Sequence, residues 1–141
     1  KEAVYRAFSL TKADKLKDKK FAILSGGEKQ KIVIARAVAQ TTPWMLLDEP
    51  IASLDIKNQI EIMQTLSELN RQEGVSVLMV LHDINLAGIY CDRLIMLKDG
   101  QVIAAGNTNE CLCEENLKKL YDISFFHMDT KKGQRYYYAE I

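Results

Sequence analysis

The sequence has no excess of charge of either sign, and its composition is that of a globular protein. Its 19 lysines and arginines balance 19 aspartates and glutamates, so the formal net charge is zero. A general nucleic-acid-binding protein normally carries a basic excess, and we therefore expect no nucleic-acid partner. Hydrophobic residues make up 48% and charged residues 27%, a balance that excludes disordered and collagen-like chains.

Cysteines and long hydrophobic runs are also scarce. The 3 cysteines are an odd number without the spacing of a secreted disulfide framework, which favours a reducing compartment. The longest apolar runs, such as residues 77–81, are far too short to span a bilayer. The length of 141 residues corresponds to about one domain. Because the sequence begins with Lys1 and not with methionine, we expect it to be part of a larger domain.

Two short apolar runs have the pattern of fully buried strands. Residues 44–47 and 75–81 are nearly continuous apolar segments, and residues 54–70 between them have helical spacing. This strand–helix–strand order predicts an α/β fold with a mainly parallel sheet. Ligands of such sheets bind beyond the carboxyl ends of the strands. The polar residues expected at those ends are Asp48, Glu49, His82 and Asp83.

The second half of the sequence predicts antiparallel pairing. The Asp-Gly pair at residues 99–100 lies between two apolar runs, as in a tight hairpin. Residues 107–121 predict one helix, capped by Asn107 or Thr108. A last hairpin is expected around Lys131-Lys132-Gly133.

The adjacent carboxylates of Asp48 and Glu49 are the first candidate site. Successive side chains of a strand point in opposite directions, so the two can act together only if the chain turns there. Pro50 favours such a turn. One carboxylate could then hold Mg²⁺ while the other orients or deprotonates a water molecule. The alternative is a pair of solvated charges at a strand end.

A glycine-rich helix start and a histidine are the other candidates. Ser25 and Glu28 have the spacing of a capping box, so a helix should begin at Ser25. The first-turn amides at Gly26 and Gly27 could bind phosphate, although the same pattern fits an ordinary capped helix. His82 could donate to a phosphate oxygen, or it could be a hydrogen-bonded histidine at the edge of the core.

Four segments together resemble the conserved motifs of ATP-binding cassette (ABC) ATPases. Residues 24–30 (LSGGEKQ) are similar to the signature motif, and residues 45–50 (MLLDEP) to the Walker B strand with its catalytic glutamate. Residues 53–55 (SLD) resemble the D-loop, and residues 81–83 (LHD) the loop of the switch histidine. The segments occur in the order and spacing of the family. Residues 37–40 and 80–87 are most similar to ATPase subunits of importers for iron chelates, haem and cobalamin.

This resemblance implies a role for each candidate residue. Asp48 would hold Mg²⁺, Glu49 would polarise the attacking water, and His82 would contact the γ-phosphate of ATP. Ser25, Gly26 and Gly27 would bind the γ-phosphate of the nucleotide held by a second protomer, and Asp55 would reach across the same dimer interface. The implied chemistry is phosphoryl transfer to water, which depends on positioning and electrostatic stabilisation.

The phosphate loop that holds ATP in this family does not occur in the sequence. None of the 7 glycines fits the pattern G-x-x-x-x-G-K-[ST]. We therefore expect a C-terminal part of a P-loop NTPase-like core that needs a separate N-terminal half. Residues 1–40 would end a helical subdomain, and residues 41–141 would form the second half of the ATPase core. Alone, the chain should hydrolyse ATP negligibly and should leave sheet edges and an apolar face uncovered.

The resemblance also implies partners and a location. An importer ATPase would be a cytoplasmic homodimer, peripheral on the inner face of the cell membrane and docked on permease subunits. Two alternatives remain open. The chain could be a non-catalytic truncated module that binds the permease or an intact ATPase, or it could be part of a soluble ABC ATPase of DNA repair.

Overall fold

The computed structural model describes residues 1–131 and 133–140, which divide into two compact units. The first unit ends at His82 and contains α1 (Glu2–Leu10), α2 (Gly26–Val38), β1 (Trp44–Leu47), α3 (Ile56–Glu73) and β2 (Ser76–Met79). The second unit begins at Asp83 and contains α4 (Ile84–Tyr90), β3 (Arg93–Lys98), β4 (Gln101–Asn107), α5 (Thr108–Cys111), α6 (Glu114–Tyr121), β5 (Phe125–Asp129) and β6 (Arg135–Ala139). The boundary expected at residue 40, between a helical subdomain and the second half of the core, stays a prediction.

The first unit contains the predicted strand–helix–strand arrangement. Strands β1 and β2 pair in parallel, with Trp44 opposite Ser76 and Leu47 opposite Met79, and α3 connects them. The pairing continues beyond β2, because the Val80 amide donates to the Leu47 carbonyl at 3.0 Å. The α/β fold class predicted from the sequence is confirmed, and its parallel part is this pair of strands.

Helix α3 is the longest element of the first unit and contributes much of its core. Its fully buried side chains include Ile62, Met63, Leu66 and Leu69. An ion pair of 2.8 Å between Lys31 and Glu61 joins α2 to α3. The helix ends at Gly74, whose φ of 67° is a left-handed conformation that favours glycine.

The prediction that β1 and β2 are fully buried is wrong. Met45 is 5% exposed, but Trp44 and Leu46 on the opposite face of the same strand are 61% and 72% exposed. In β2 and just after it, Leu78 and Val80 are 53% and 50% exposed. Leu46 lies opposite Leu78 in the register, so these side chains share one sheet face. In the described chain this two-stranded sheet therefore buries one face and exposes an apolar second face.

The second unit is built from two antiparallel hairpins and short helices. Strands β3 and β4 pair around Asp99 and Gly100, which have φ values of 50° and 75° and so form the predicted tight turn. Strands β5 and β6 form the second predicted hairpin, in which Lys132 of the expected turn lies outside the described residues. A cluster of buried side chains forms the core of this unit: Met96, Leu112, Leu117 and Tyr137.

The single helix predicted for residues 107–121 is interrupted. Helix α5 ends at Cys111, and Cys113 adopts an extended conformation before α6 begins at Glu114. The break places Leu112 in the core, where its carbonyl accepts a hydrogen bond from the Tyr137 hydroxyl. Burial of this side chain therefore overrides the local helical pattern.

None of the helices within the described residues is both long enough and apolar enough to cross a membrane.

The exposed sheet face of Trp44, Leu46, Leu78 and Val80 should make the chain associate with itself. We expect it to bind a hydrophobic dye and to sediment above monomer mass, because large exposed apolar patches drive association. Leu46→Lys should weaken both effects with little loss of stability, since Leu46 is already exposed. Ile56→Lys is the matched control, because Ile56 is equally exposed but lies on α3. A sharp wild-type monomer without dye binding would contradict this expectation.

Candidate functional site

The predicted polar residues lie at the carboxyl ends of the two parallel strands. Asp48 directly follows β1, and His82 follows β2 after two further residues. The hydrogen bond from the Val80 amide to the Leu47 carbonyl keeps the two chains together up to this point. Parallel pairing thus brings both strand ends to the same edge of the sheet.

Glu49 and His82 are in direct contact at this edge. Nε2 of His82 lies 2.8 Å from Oε1 of Glu49, and both side chains are exposed to solvent. Glu49 has a φ of 45°, a left-handed conformation that is rare for a non-glycine residue and especially before a proline. The chain therefore leaves strand geometry at Glu49, as the position of Pro50 predicted. The two carboxylates of Asp48 and Glu49 are exposed neighbours on this turn.

Ser25 caps α2 in the predicted way. Its Oγ accepts a hydrogen bond from the Glu28 amide at 3.3 Å, and its own amide donates to Oε2 of Glu28 at 2.9 Å. This reciprocal pair confirms the capping box. The amides in the first turn of a helix have no intrahelical acceptor, and in α2 these include the amides of Gly26 and Gly27. The turn thus presents donors suited to an anion.

Asp55 is the N-cap of α3. Its Oδ1 accepts from the Asn58 amide at 2.9 Å, and its Oδ2 accepts from Nδ2 of Asn58 at 2.8 Å. The backbone hydrogen bond from Asn58 has the largest effect in lowering the pKa of the Asp55 carboxyl, and its side-chain hydrogen bond has the next largest. Lys57 lowers this pKa further. Asp55 is therefore held in its charged form by its own helix.

Direct contacts arrange the candidate residues in two groups within the first unit. Glu49 and His82 form one group with Asp48 beside them, and the Ser25–Gly27 turn and Asp55 form the other. Asn58 connects the members of the second group, because it contacts both Gly27 and Asp55. The sequence reasoning missed Asn58, although the pattern Asp-x-x-Asn at a helix start could have indicated it.

The second unit offers weaker candidates. Its cysteines are free, and burial together with the nearby Asp92 raises the pKa of the Cys91 thiol. No group of three or more His, Cys, Asp or Glu side chains within residues 1–131 and 133–140 is arranged to enclose a metal ion.

The capping box of α2 should make stability depend on pH. The hydrogen bond from the Ser25 amide has the largest effect in lowering the pKa of Glu28 below its ordinary 4.5, and the hydrogen bond from Lys19 has the next largest. A lowered carboxyl pKa adds stability that is present above about pH 4.5 and is lost as the pH falls through the folded-state value. Urea unfolding of Glu28→Gln should therefore show a flatter decline below about pH 4.5 than the wild type. Glu140→Gln, the same change on an exposed carboxylate, is the control, and equal slopes for Glu28→Gln and wild type would refute the assignment.

Comparison with known proteins identifies relatives of this chain. Residues 1–52 match the family model described as ABC transporter. The ferric enterobactin transport ATP-binding protein of Escherichia coli (strain K12) is 41% identical over 128 residues, which are 91% of this chain and 47% of that protein. The hemin import ATP-binding protein of Bordetella avium (strain 197N) is 39% identical over 115 residues, which are 77% of this chain and 44% of that protein.

Solved structures share the fold. An ABC transporter in an inward-facing conformation superposes with a TM-score of 0.92 at 26% identity, covering 99% of this chain and 57% of that one. A dimeric ATP-binding cassette in a post-hydrolysis state with ADP and Pi gives a TM-score of 0.65 at 36% identity, covering 76% of this chain and 46% of that one. The chain spans about half the length of the curated relatives that it matches. Sequence and fold together place this chain in the ABC transporter ATPase family, over about half the length of its relatives.

Proposed function

We propose that the chain carries the second half of the ATPase domain of an ABC importer and couples ATP hydrolysis to the uptake of an iron chelate, haem or a cobalamin-like molecule. The 2.8 Å contact between Glu49 and His82 is the observation that carries this proposal. It joins the ends of two parallel strands, where ligands of α/β sheets bind. The relatives named for ferric enterobactin and hemin favour iron-containing cargo.

The group at the strand ends would perform the chemistry. ATP would supply the phosphoryl group that is transferred to water. Glu49 would accept the proton of the attacking water, because its exposed carboxylate lies at the strand edge where a nucleotide would bind. Nε2 of His82 contacts the Glu49 carboxylate from the adjacent strand end, and this N–H would turn to donate to the γ-phosphate when the nucleotide binds. The side chain that accepts the proton and the side chain that donates a hydrogen bond to the phosphate would thus lie side by side before the nucleotide binds.

The residues at this edge also fit a magnesium ion. Mg²⁺ in nucleotide sites usually binds one or two carboxylates and completes its shell with waters and phosphate oxygens. Asp48 supplies one exposed carboxylate next to the Glu49 turn. A closed cage of protein ligands is therefore unnecessary, and the described residues offer none.

The group at the two helix starts would serve the nucleotide of a second protomer. The amides of Gly26 and Gly27 present donors at the positive end of α2, and the Ser25 hydroxyl lies beside them. Asp55 is a charged residue at the start of α3, connected to Gly27 through Asn58. Ser25, Gly26 and Asp55 are exposed, as residues that act across a dimer interface must be, whereas Gly27 is buried.

ATP binding in this proposal requires a phosphate loop that the sequence does not contain. The partners of the chain would be a segment that carries this loop, a second ATPase protomer and membrane permease subunits. Together they would place the protein in the cytoplasm, peripheral on the inner face of the membrane. No role with nucleic acid is proposed, since the net charge is zero.

The test is complementation followed by substitution of Glu49. Calorimetry should detect no binding of ATP and Mg²⁺ to the 141-residue chain alone. Addition of a separately produced N-terminal half with the phosphate loop should restore hydrolysis. Glu49→Gln should then lower the rate by about 10²–10⁴-fold while ATP binding persists, because only the proton acceptor is lost.

Glu115→Gln is the matched control, since it makes the same change on an exposed carboxylate of α6. Unchanged hydrolysis in Glu49→Gln would remove the proposed catalytic role. Binding to the permease without any restored hydrolysis would favour the non-catalytic module. Micromolar ATP binding by the chain alone would mean that a phosphate site exists outside the expected loop.

A further inference from the structure

The start of α3 contacts the start of α2 through one side chain. Asn58 lies in the first turn of α3 and donates twice to Asp55, from its backbone amide to Oδ1 and from Nδ2 to Oδ2. Both carboxylate oxygens are therefore engaged by one residue. This fixes the rotamer of Asn58 as well as the orientation of the Asp55 carboxylate.

The other side of the same amide group packs against Gly27. A Cβ atom built on Gly27 would lie 2.2 Å from Oδ1, 2.5 Å from Cγ and 3.1 Å from Cβ of Asn58. Gly27 is buried, and no side chain larger than hydrogen fits there while Asn58 keeps its place. Glycine at position 27 is thus required by its neighbour and not by its own backbone, which is helical.

We infer that Asn58 is a positioning residue that fixes the Ser25–Gly27 turn relative to the Asp55 carboxylate. The inference rests on the proposed function in one respect, namely that the turn and Asp55 serve the same nucleotide. An ordinary N-cap interaction would involve Asp55 and the Asn58 amide alone. The side-chain amide goes further, because its Nδ2 binds Asp55 while its Oδ1 sets the distance to Gly27.

The chemistry of asparagine suits both contacts. Its NH₂ group donates to a carboxylate, and its planar amide is thin enough to lie against a glycine Cα. An aspartate of the same shape would place a second negative charge against Asp55. An alanine would keep the backbone bond but lose the side-chain donor and leave space beside Gly27.

The electrostatics around Asp55 support the same assignment. Hydrogen bonds from Asn58 are the main cause of the lowered pKa of Asp55, ahead of the effect of Lys57. The other charged groups nearby are Glu61 on the next turn of α3 and its partner Lys31 on α2. These two form their own ion pair of 2.8 Å.

A double-mutant cycle between positions 27 and 58 tests the inference without nucleotide. In the wild-type background, Gly27→Ala should displace the Asn58 amide and raise the unfolding equilibrium constant. The Asn58→Ala background removes the contacts at 2.2 and 2.5 Å and leaves only Cβ of residue 58 at 3.1 Å from the added methyl group, so the same change should be at least about five-fold less destabilising. Additive effects would overturn the proposed contact.

Titration of the Asp55 carboxyl by NMR is the second measurement. Asn58→Asp should raise the pKa of Asp55, because a donor is replaced by a like charge while the shape is kept. Gly27→Ala should also raise it by displacing the amide, an effect at a distance that a purely structural glycine would not have. Gln64→Ala, an exposed change further along α3, is the control and should leave the Asp55 titration unchanged.

The outcomes separate this inference from the proposed function. If the cycle is additive and Gly27→Ala leaves the Asp55 titration unchanged, Asn58 does not position the turn, whatever the chain does with ATP. If both coupling effects appear but complementation restores no hydrolysis, the positioning contact stands and the proposed ATPase role fails.

Discussion

The parallel register of β1 and β2 is the constraint on which the candidate site depends. Two strands that run in the same direction must end at the same edge, and the Val80–Leu47 hydrogen bond maintains the pairing up to that edge. Residues 33 positions apart in the sequence, Glu49 and His82, can therefore touch at 2.8 Å. A slip of the register by one residue would reverse the faces of a strand and remove this contact.

Helix α3 is what makes this register possible. A parallel pair needs a long crossover, and α3 supplies it while burying its apolar side against the rest of the unit. Its amino end carries Asp55 and Asn58 next to the start of α2, and the Lys31–Glu61 ion pair continues that contact one turn later. Helix α3 thus positions both groups of candidate residues. Its length allows the two strands to pair in parallel, and its first turn contacts the start of α2.

The sequence was informative wherever local chemistry determines the structure. The capping pair of Ser25 and Glu28 and the Asp-Gly turn at residues 99–100 each specify a backbone conformation through their own side chains or through the lack of one. Each lies where predicted. The positions of Glu49 and His82 at the ends of two strands followed from two apolar runs with polar ends and from the rule for parallel sheets. Their direct contact was not predicted from the sequence.

Other features depend on long-range packing, which periodicity does not encode. The apolar pattern of β1 predicted burial on both faces, but burial requires a second layer, and in the described chain the face of Trp44 and Leu46 has none. The break after Cys111 arises because Leu112 enters the core beside Tyr137, a residue of the last strand. The contact of Asn58 with Gly27 joins two helices that are distant in sequence. Neither local sequence segment contains a pattern that predicts this contact.

The conformation of Glu49 shows where the structure accepts local strain. A left-handed non-glycine residue costs on the order of 1–3 kcal/mol and persists only when its surroundings determine it. Here Pro50 and Ile51 are buried directly after it, and the Ala52 amide donates to the Glu49 carbonyl at 3.3 Å. In an extended strand, the Glu49 side chain would point to the opposite face from that of Asp48. The turn removes that restriction and brings the Glu49 carboxylate to His82, so the strain at Glu49 gives this side chain the direction that the proposed chemistry requires.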